Sequence, residues 1–213
     1  MNSHFFNPEK TKISQNLILL PFMPDRKYLK MIEERSVRRK HILGSVLYSY
    51  RDYDVLYGFL GYSNLLTLLE FILEVREKNI FFIGTAGSLN NLLDKPEILN
   101  VERVYPGSIF TFFSSDKYLD LDNSVISGVN RGKGISIDLI QREDSQWYSE
   151  IKKRDLDFVE MELYPLRWYL KKKFRALVVL SDQITESGIR TFNKNKIKEE
   201  FARGFEMIKL EMK

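Results

Sequence analysis

The stretch Asp157-Phe158-Val159-Glu160-Met161-Glu162 sets a methionine between two carboxylates, and Ala176-Leu177-Val178-Val179-Leu180-Ser181-Asp182 ends an apolar run on a lone carboxylate. Carboxylates accept hydrogen bonds from sugar hydroxyls, and a thioether offers a soft apolar contact. A protonated carboxyl can donate to a leaving base as a general acid. The chemistry this combination suggests is cleavage of a glycosidic bond. The same residues have a plainer reading. Glu160 and Glu162 could be exposed carboxylates in the first turn of a helix, at the positive end of its dipole, and Asp182 a helix cap or turn residue after a strand.

Short apolar runs rich in branched and aromatic residues alternate with helix-like segments along the chain, which is the pattern of an α/β domain. Asn16 to Leu20 reads as a first strand stopped by Pro21 and Pro24, and Ser45 to Tyr50 with Val55 to Phe59 as a hairpin around Arg51-Asp52-Tyr53-Asp54. Asn64 to Arg76, apolar on nearly all sides, predicts a buried helix. Ile80 to Ile83 predicts a strand running into a small-residue turn, Gly84-Thr85-Ala86-Gly87, at the strand end where ligands collect in open α/β sheets. Ser108 to Phe113, after a Pro106-Gly107 turn, and Ile135 to Ile140 are further strands. Glu160 to Phe174 is read as helical despite Pro165, and Arg175 to Leu180 as a buried strand. Ile197, Phe201, Phe205, Ile208 and Met212 recur at intervals of three or four and define the apolar face of a last helix.

At 213 residues the chain suits a single domain, 1–213, with a sizeable core. Its 33 basic and 29 acidic residues are interspersed, so a nucleic-acid partner is not expected, and Arg38-Arg39-Lys40 and Lys171-Lys172-Lys173 read as solvated faces. The absence of cysteine excludes disulfides and thiolate catalysis, and with only His4 and His41 as imidazoles no metal site is expected. No apolar run approaches the ~20 residues of a membrane helix, and the N-terminus lacks a signal-peptide core. The expectation is a cytoplasmic protein with no membrane partner. Trp147 and Trp168 sit among charged residues, with core packing expected and an intersubunit surface as the alternative.

Taken in order, these motifs resemble the nucleoside phosphorylase and nucleosidase superfamily, especially the hexameric bacterial purine nucleoside phosphorylases. The run from Ser136 through Asp138-Leu139 to Glu160-Met161-Glu162 follows the phosphorylase pattern. Leu180-Ser181-Asp182-Gln183-Ile184 is similar to the family's Val-Ser-Asp-His-Ile, and Ile83-Gly84-Thr85-Ala86-Gly87 to its Val-Gly-Ser-Cys-Gly. Gly58-Phe59-Leu60-Gly61 lacks the third glycine of a dinucleotide loop and corresponds to the superfamily's strand-to-helix glycine turn. The resemblance implies a three-layer α/β fold with a central mixed twisted sheet flanked by helices. It implies an enzyme that cleaves the N-glycosidic bond of a purine nucleoside, a pentosyltransferase or an N-glycosidase. Glu162, with Glu160, would bind the ribose hydroxyls and Met161 would pack on the sugar. Asp182 would protonate the base, for which it needs an apolar site or a proton relay. No cofactor is implied beyond inorganic phosphate as a possible co-substrate, held by Arg26, Thr85 and Gly84. A homo-oligomer, dimer or hexamer, is implied because neighbours in that family lend each other residues.

The chain also departs from the pattern. The family's Gly-Asp-Pro-x-Arg loop is here Pro21-Phe22-Met23-Pro24-Asp25-Arg26, with Phe22 in place of the glycine, and Phe82 stands where a second phosphate-binding arginine is expected. Losing a bidentate arginine removes a contact worth ~1.5–3 kcal/mol. Nucleosidases of the superfamily instead activate water with a carboxylate in this loop, and Asp25 is the candidate base. Ile140 replaces a base-stacking aromatic residue, Gln183 replaces a histidine, and Arg190 is a distant candidate for an arginine beyond the acid. His4 and Arg38 or Arg39 are candidates for residues donated across a subunit boundary. Three readings follow: phosphorolysis first, hydrolysis by water second, and a degenerate nucleoside-binding or assembly protein third.

Overall fold

The computed structural model describes residues 11–22, 26–59, 61–107, 116–122, 124, 126, 128–137 and 145–212. Its strands are β1 (Asn16–Leu20), β2 (Arg38–Ile42), β3 (Ser45–Ser49), β4 (Tyr53–Tyr57), β5 (Asn79–Ser88), β6 (Ile98–Pro106), β7 (Leu119–Asp120), β8 (Asn130–Ser136), β9 (Phe158–Glu160), β10 (Arg175–Thr185) and β11 (Gly188–Thr191). Its helices are α1 (Arg26–Arg35), α2 (Gly61–Glu70), α3 (Ser145–Lys152), α4 (Leu163–Leu170) and α5 (Lys194–Glu211).

The first strand explains the layering. β1 lies between β4 and β5 and runs parallel to both. Successive side chains of a strand point to opposite faces, so a strand covered on both sides reads as an unbroken apolar run. Leu17 and Leu19 join one buried cluster, together with Leu65, Leu68 and Leu69 of α2 and Leu163, Tyr164, Leu166 and Leu170 of α4. Ile18 and Leu20 join another on the opposite face, with Ile32 of α1 and Ile197, Phe201, Phe205 and Ile208 of α5. The result is a mixed sheet between two helical layers, as the resemblance implied. The apolar face of α5 is the one its spacing predicts, and its N-terminus is capped by Asn193, whose side chain accepts from the amides of Asn195 and Lys196.

The sheet runs in the order β11-β10-β6-β8-β9-β5-β1-β4-β3-β2, with β7 off the path on β6. β10 also pairs with β5, in parallel, from Arg175↔Phe81 onward. Five strands, β5, β10, β6, β8 and β9, therefore pair in a closed cycle. β5 is the strand shared by the open part of the sheet and the ring. Its first half pairs with β1, and its last residues Gly87 and Ser88 with Val159 and Phe158 of β9.

Several elements differ from their sequence reading. Gly84-Thr85-Ala86-Gly87 is not a turn but the second half of β5, paired residue by residue with Val178, Val179, Leu180 and Asp182. Its small residues answer a packing demand. A Cβ on Gly84 would lie 2.8 Å from the Phe82 ring, so the glycine admits that ring instead of bending the chain. The helix expected from Asn64 to Arg76 is α2, which starts at Gly61, stops at Glu70 and is followed by a short 3-10 turn, Val75–Glu77. The helix expected from Glu160 is α4, with Glu160 in β9 and Pro165 within the first turn, where no intrahelical amide bond is lost. It ends where Lys171 adopts a left-handed φ of 54°. β10 continues past Leu180 to Thr185. Ser108 to Phe113 and Asp138 to Ile140 lie outside the described residues. Trp168 is exposed rather than packed in the core, whereas Trp147 packs partly buried against the cluster around Ile135, Val159 and Ile184. Of the two triplets read as solvated faces, Arg38, Arg39, Lys171 and Lys173 are exposed, whereas Lys40 and Lys172 are half-buried and donate to Thr11 Oγ1 and the Lys78 carbonyl. Among the described residues no helix is long and apolar enough to cross a membrane.

Candidate active site

A cleft of about 200 Å³ opens where β5, β9 and β10 meet. Thr85, Glu160, Met161, Glu162 and Asp182 all line it, although the first and the last are 97 positions apart in the chain. Two local devices aim the carboxylates.

The first device is a bulge. The β10–β5 register slips between Leu180 and Asp182. An extra residue in one strand re-aims the side chains around it, and here Ser181 and Asp182 both reach the cleft. The Ser181 hydroxyl donates to Asp182 Oδ2 at 2.6 Å, orienting the carboxyl. Asp182 is thus a strand residue opposite Gly87, not a helix cap.

The second device joins two helix N-termini. Helix starts leave amides without intrahelical acceptors. At α4 the amide of Leu163 donates to Glu160 Oε2 at 2.7 Å, that of Tyr164 to Ser136 Oγ at 2.8 Å, and Pro165 has none. Glu160 Oε2 also accepts the amide of Glu162 at 2.6 Å, and the Ser136 hydroxyl donates to Glu160 Oε1. The Glu162 side chain turns away to α2, where the Gly61 amide donates to its Oε1 at 2.8 Å. Gly61 has φ +71°, so a glycine is needed for that amide to open the helix. Glu160 and Glu162 are 4% and 6% exposed, so they are not the solvated first-turn carboxylates of the plainer reading.

Burial and the neighbouring Glu162 push the Glu160 carboxyl up to about 8, against the hydrogen bonds it accepts, and burial raises Glu162 as well. A carboxyl whose folded pKa exceeds its unfolded value binds more protons in the folded state, so stability falls as pH rises between the two. For Glu160 that window runs from 4.5 to about 8. Replacing Glu160 by glutamine removes this contribution, so the difference in Tm between variant and parent grows in the variant's favour across the window. Scanning calorimetry at pH 5 and pH 8 checks this, and a difference that does not change with pH refutes the assignment.

The phosphate side of the sequence reading is not assembled. Arg26 opens α1, is exposed and does not line the cleft. Gly84 is buried under the Phe82 ring and Pro21 and does not line it either. Phe82, at 1% exposure, is a core residue, and Phe22 stands half exposed at the cleft wall. Among the described residues the lining holds three carboxylates and no lysine or arginine. Asp25, Ile140 and His4 lie outside the described residues. Arg190 is exposed on β11, where it pairs with Gln183, and Gln183 Nε2 donates to the carbonyls of Asn90 and Leu93. No group of acidic, histidine or cysteine side chains among the described residues could hold a metal. Ser136, Gly61 and Ser181 were not legible as site partners. Ser136 meets a residue 24 positions away and Gly61 one 101 positions away, and spacing along the chain does not report such pairings.

No protein-family model and no curated protein sequence matches the chain. Solved structures do. The 5′-methylthioadenosine/S-adenosyl homocysteine nucleosidase of Campylobacter jejuni superposes with a TM-score of 0.71 at 15% identity, over 93% of this chain and 98% of that one. Futalosine hydrolase of Helicobacter pylori gives 0.69 at 15% identity, over 92% and 98%. A Streptococcus pneumoniae MTA/SAH nucleosidase in complex with 8-aminoadenine gives 0.62 at 12% identity, over 91% and 96%. The chain shares the fold of these nucleosidases and of futalosine hydrolase.

Proposed function

We propose that the protein is an N-glycosidase that hydrolyses a nucleoside, purine by preference, with water as the nucleophile. The observation that carries the choice of water over phosphate is the lining of the cleft: Glu160, Glu162 and Asp182 with no described cation. A phosphate anion entering this cleft finds, among the described residues, no guanidinium or ammonium to offset its desolvation, whereas water carries no charge. The structural neighbours named above are nucleosidases and a hydrolase, which agrees with this reading and not with the phosphorolytic one.

In the proposed reaction Glu162 accepts hydrogen bonds from the ribose hydroxyls and Met161 packs against the sugar. As the C1′–N bond stretches, its electrons pass to the base, and Asp182 protonates a base nitrogen so that it leaves neutral. Water adds to the oxocarbenium-like sugar and loses a proton, and free base and free sugar are the products. Asp25, by its place in the sequence after β1 and by the resemblance, is the proposed acceptor of that proton. The work is positioning and electrostatics, without a covalent intermediate. Base release from a panel of purine and pyrimidine nucleosides should proceed at the same rate with and without inorganic phosphate, giving free ribose and no ribose 1-phosphate. A requirement for phosphate would overturn the reading. Phe22 and Phe82, in positions the phosphorylases give to phosphate, favour one other reading, a nucleoside-binding protein without turnover. Saturable binding with no base released would establish it.

A further inference from the structure

Glu160 reads from the sequence as a ligand of the sugar, yet both its carboxyl oxygens are engaged inside the protein. Oε1 takes the Ser136 hydroxyl, and Oε2 takes the amides of Glu162 and Leu163 at 2.6 and 2.7 Å. Ser136 Oγ accepts the Tyr164 amide at 2.8 Å. Ser136 is fully buried and Glu160 nearly so. Residue 162 is gripped twice, its backbone amide by Glu160 and its carboxylate by the Gly61 amide at 2.8 Å.

We propose that Ser136 and Glu160 are a positioning pair that fixes the orientation of the Glu162 carboxylate, and that Glu160 does not itself bind the sugar. The task assigned to Glu162 rests on the nucleosidase reading. The physical basis is the closed set of donors and acceptors. With Pro165 supplying no amide, Ser136 and Glu160 take the free amides of the first turn of α4, and removing either leaves a buried amide that must move to find a partner. Movement there carries Glu162 with it, and a misplacement of about 1 Å at a reacting centre costs up to ~10²-fold in rate.

The test compares kcat/KM for the best-cleaved purine ribonucleoside and its 2′,3′-dideoxy counterpart in the parent and in Ser136→Ala, Glu160→Ala, Glu160→Gln and Glu162→Ala. The alanine variants at 136 and 160 should lower the ribo-to-dideoxy ratio by about tenfold or more, towards that of Glu162→Ala. The dideoxy rate should stay within about threefold of the parent's. Glu160→Gln, whose amide oxygen keeps both backbone bonds, should retain most of the ratio. Equal losses on both substrates would mean a merely structural role. Loss of the ratio in Glu160→Gln, with Ser136→Ala silent, would mean that Glu160 touches the sugar. Either result overturns the proposal. If the parent releases no base at all, the nucleosidase reading fails separately. The pair is then judged by exchange of the Leu163 and Tyr164 amides and by the ¹³C titration of the Glu162 carboxyl. Both change in Glu160→Ala if the pair holds the turn, and unchanged values overturn it.

Discussion

Replacing Asp182 by asparagine lowers kcat for base release by ~10²–10⁴-fold, the range of a lost general acid, and leaves KM within about threefold. Asparagine keeps the shape of the side chain and can still accept from the Ser181 hydroxyl that holds Asp182 Oδ2, so the cleft stays built and only the acidic proton is gone. The substrate then decides whether the loss is one of acid catalysis. A riboside with p-nitrophenol as leaving group needs no protonation to depart. Its rate should fall far less than that of a nucleoside. Equal losses on the two would sink the assignment of Asp182 as acid and leave it a structural residue of the bulge.

The second large effect belongs to Glu162. Charge-assisted hydrogen bonds are worth about 1.5–3 kcal/mol each, so Glu162→Gln should reduce kcat/KM for a ribonucleoside by about 10–100-fold. The glutamine oxygen keeps the Gly61 amide satisfied, and Tm should stay close to the parent's. Glu162→Ala goes further. It strands the buried Gly61 amide as well as losing the sugar contact, at a cost of about 1–3 kcal/mol in stability and a Tm lower by several degrees. Steady-state base release and calorimetry on the two variants separate these effects. If the glutamine variant turns over at the parental rate, Glu162 is not the residue that reads the ribose.

What was legible in the sequence is what is encoded locally. β1 shows itself because a doubly covered strand must be apolar at every position, and α5 because its apolar residues fall on one helical face. Met161, Glu162 and Asp182 stand out because each sits in or next to an apolar run that must fold into the core. The misreadings have a common physical cause, since they depend on partners distant along the chain. Gly84 to Gly87 read as a turn on local propensity, yet the stretch pairs with distant β10, and the Ile184 side chain beside Gly87 demands a small residue there. β6 is obscured by Asn100, Glu102 and Arg103, which break its apolar run. Asn100 Nδ2 donates to the Ser124 carbonyl, and Arg103 pairs with Asp120 at 2.8 Å. The bulge at Ser181 exists only as a slip of register between two strands, and no single strand's sequence displays it. Neither Arg26 nor Gly84, to which the resemblance assigned phosphate, lines the cleft: Arg26 is exposed at the start of α1, and Gly84 is buried within β5.

Among the described residues the path of the sheet stops at β2 on one side. An outermost strand offers unpaired amides and carbonyls to any other chain, which is the usual route to open-ended stacking of sheets. β2 spells Arg38-Arg39-Lys40-His41, and Arg38 and Arg39 are exposed. Two copies meeting along this margin would set like charges against each other, and that repulsion opposes such stacking. The repulsion is greatest in dilute buffer and fades as salt screens it.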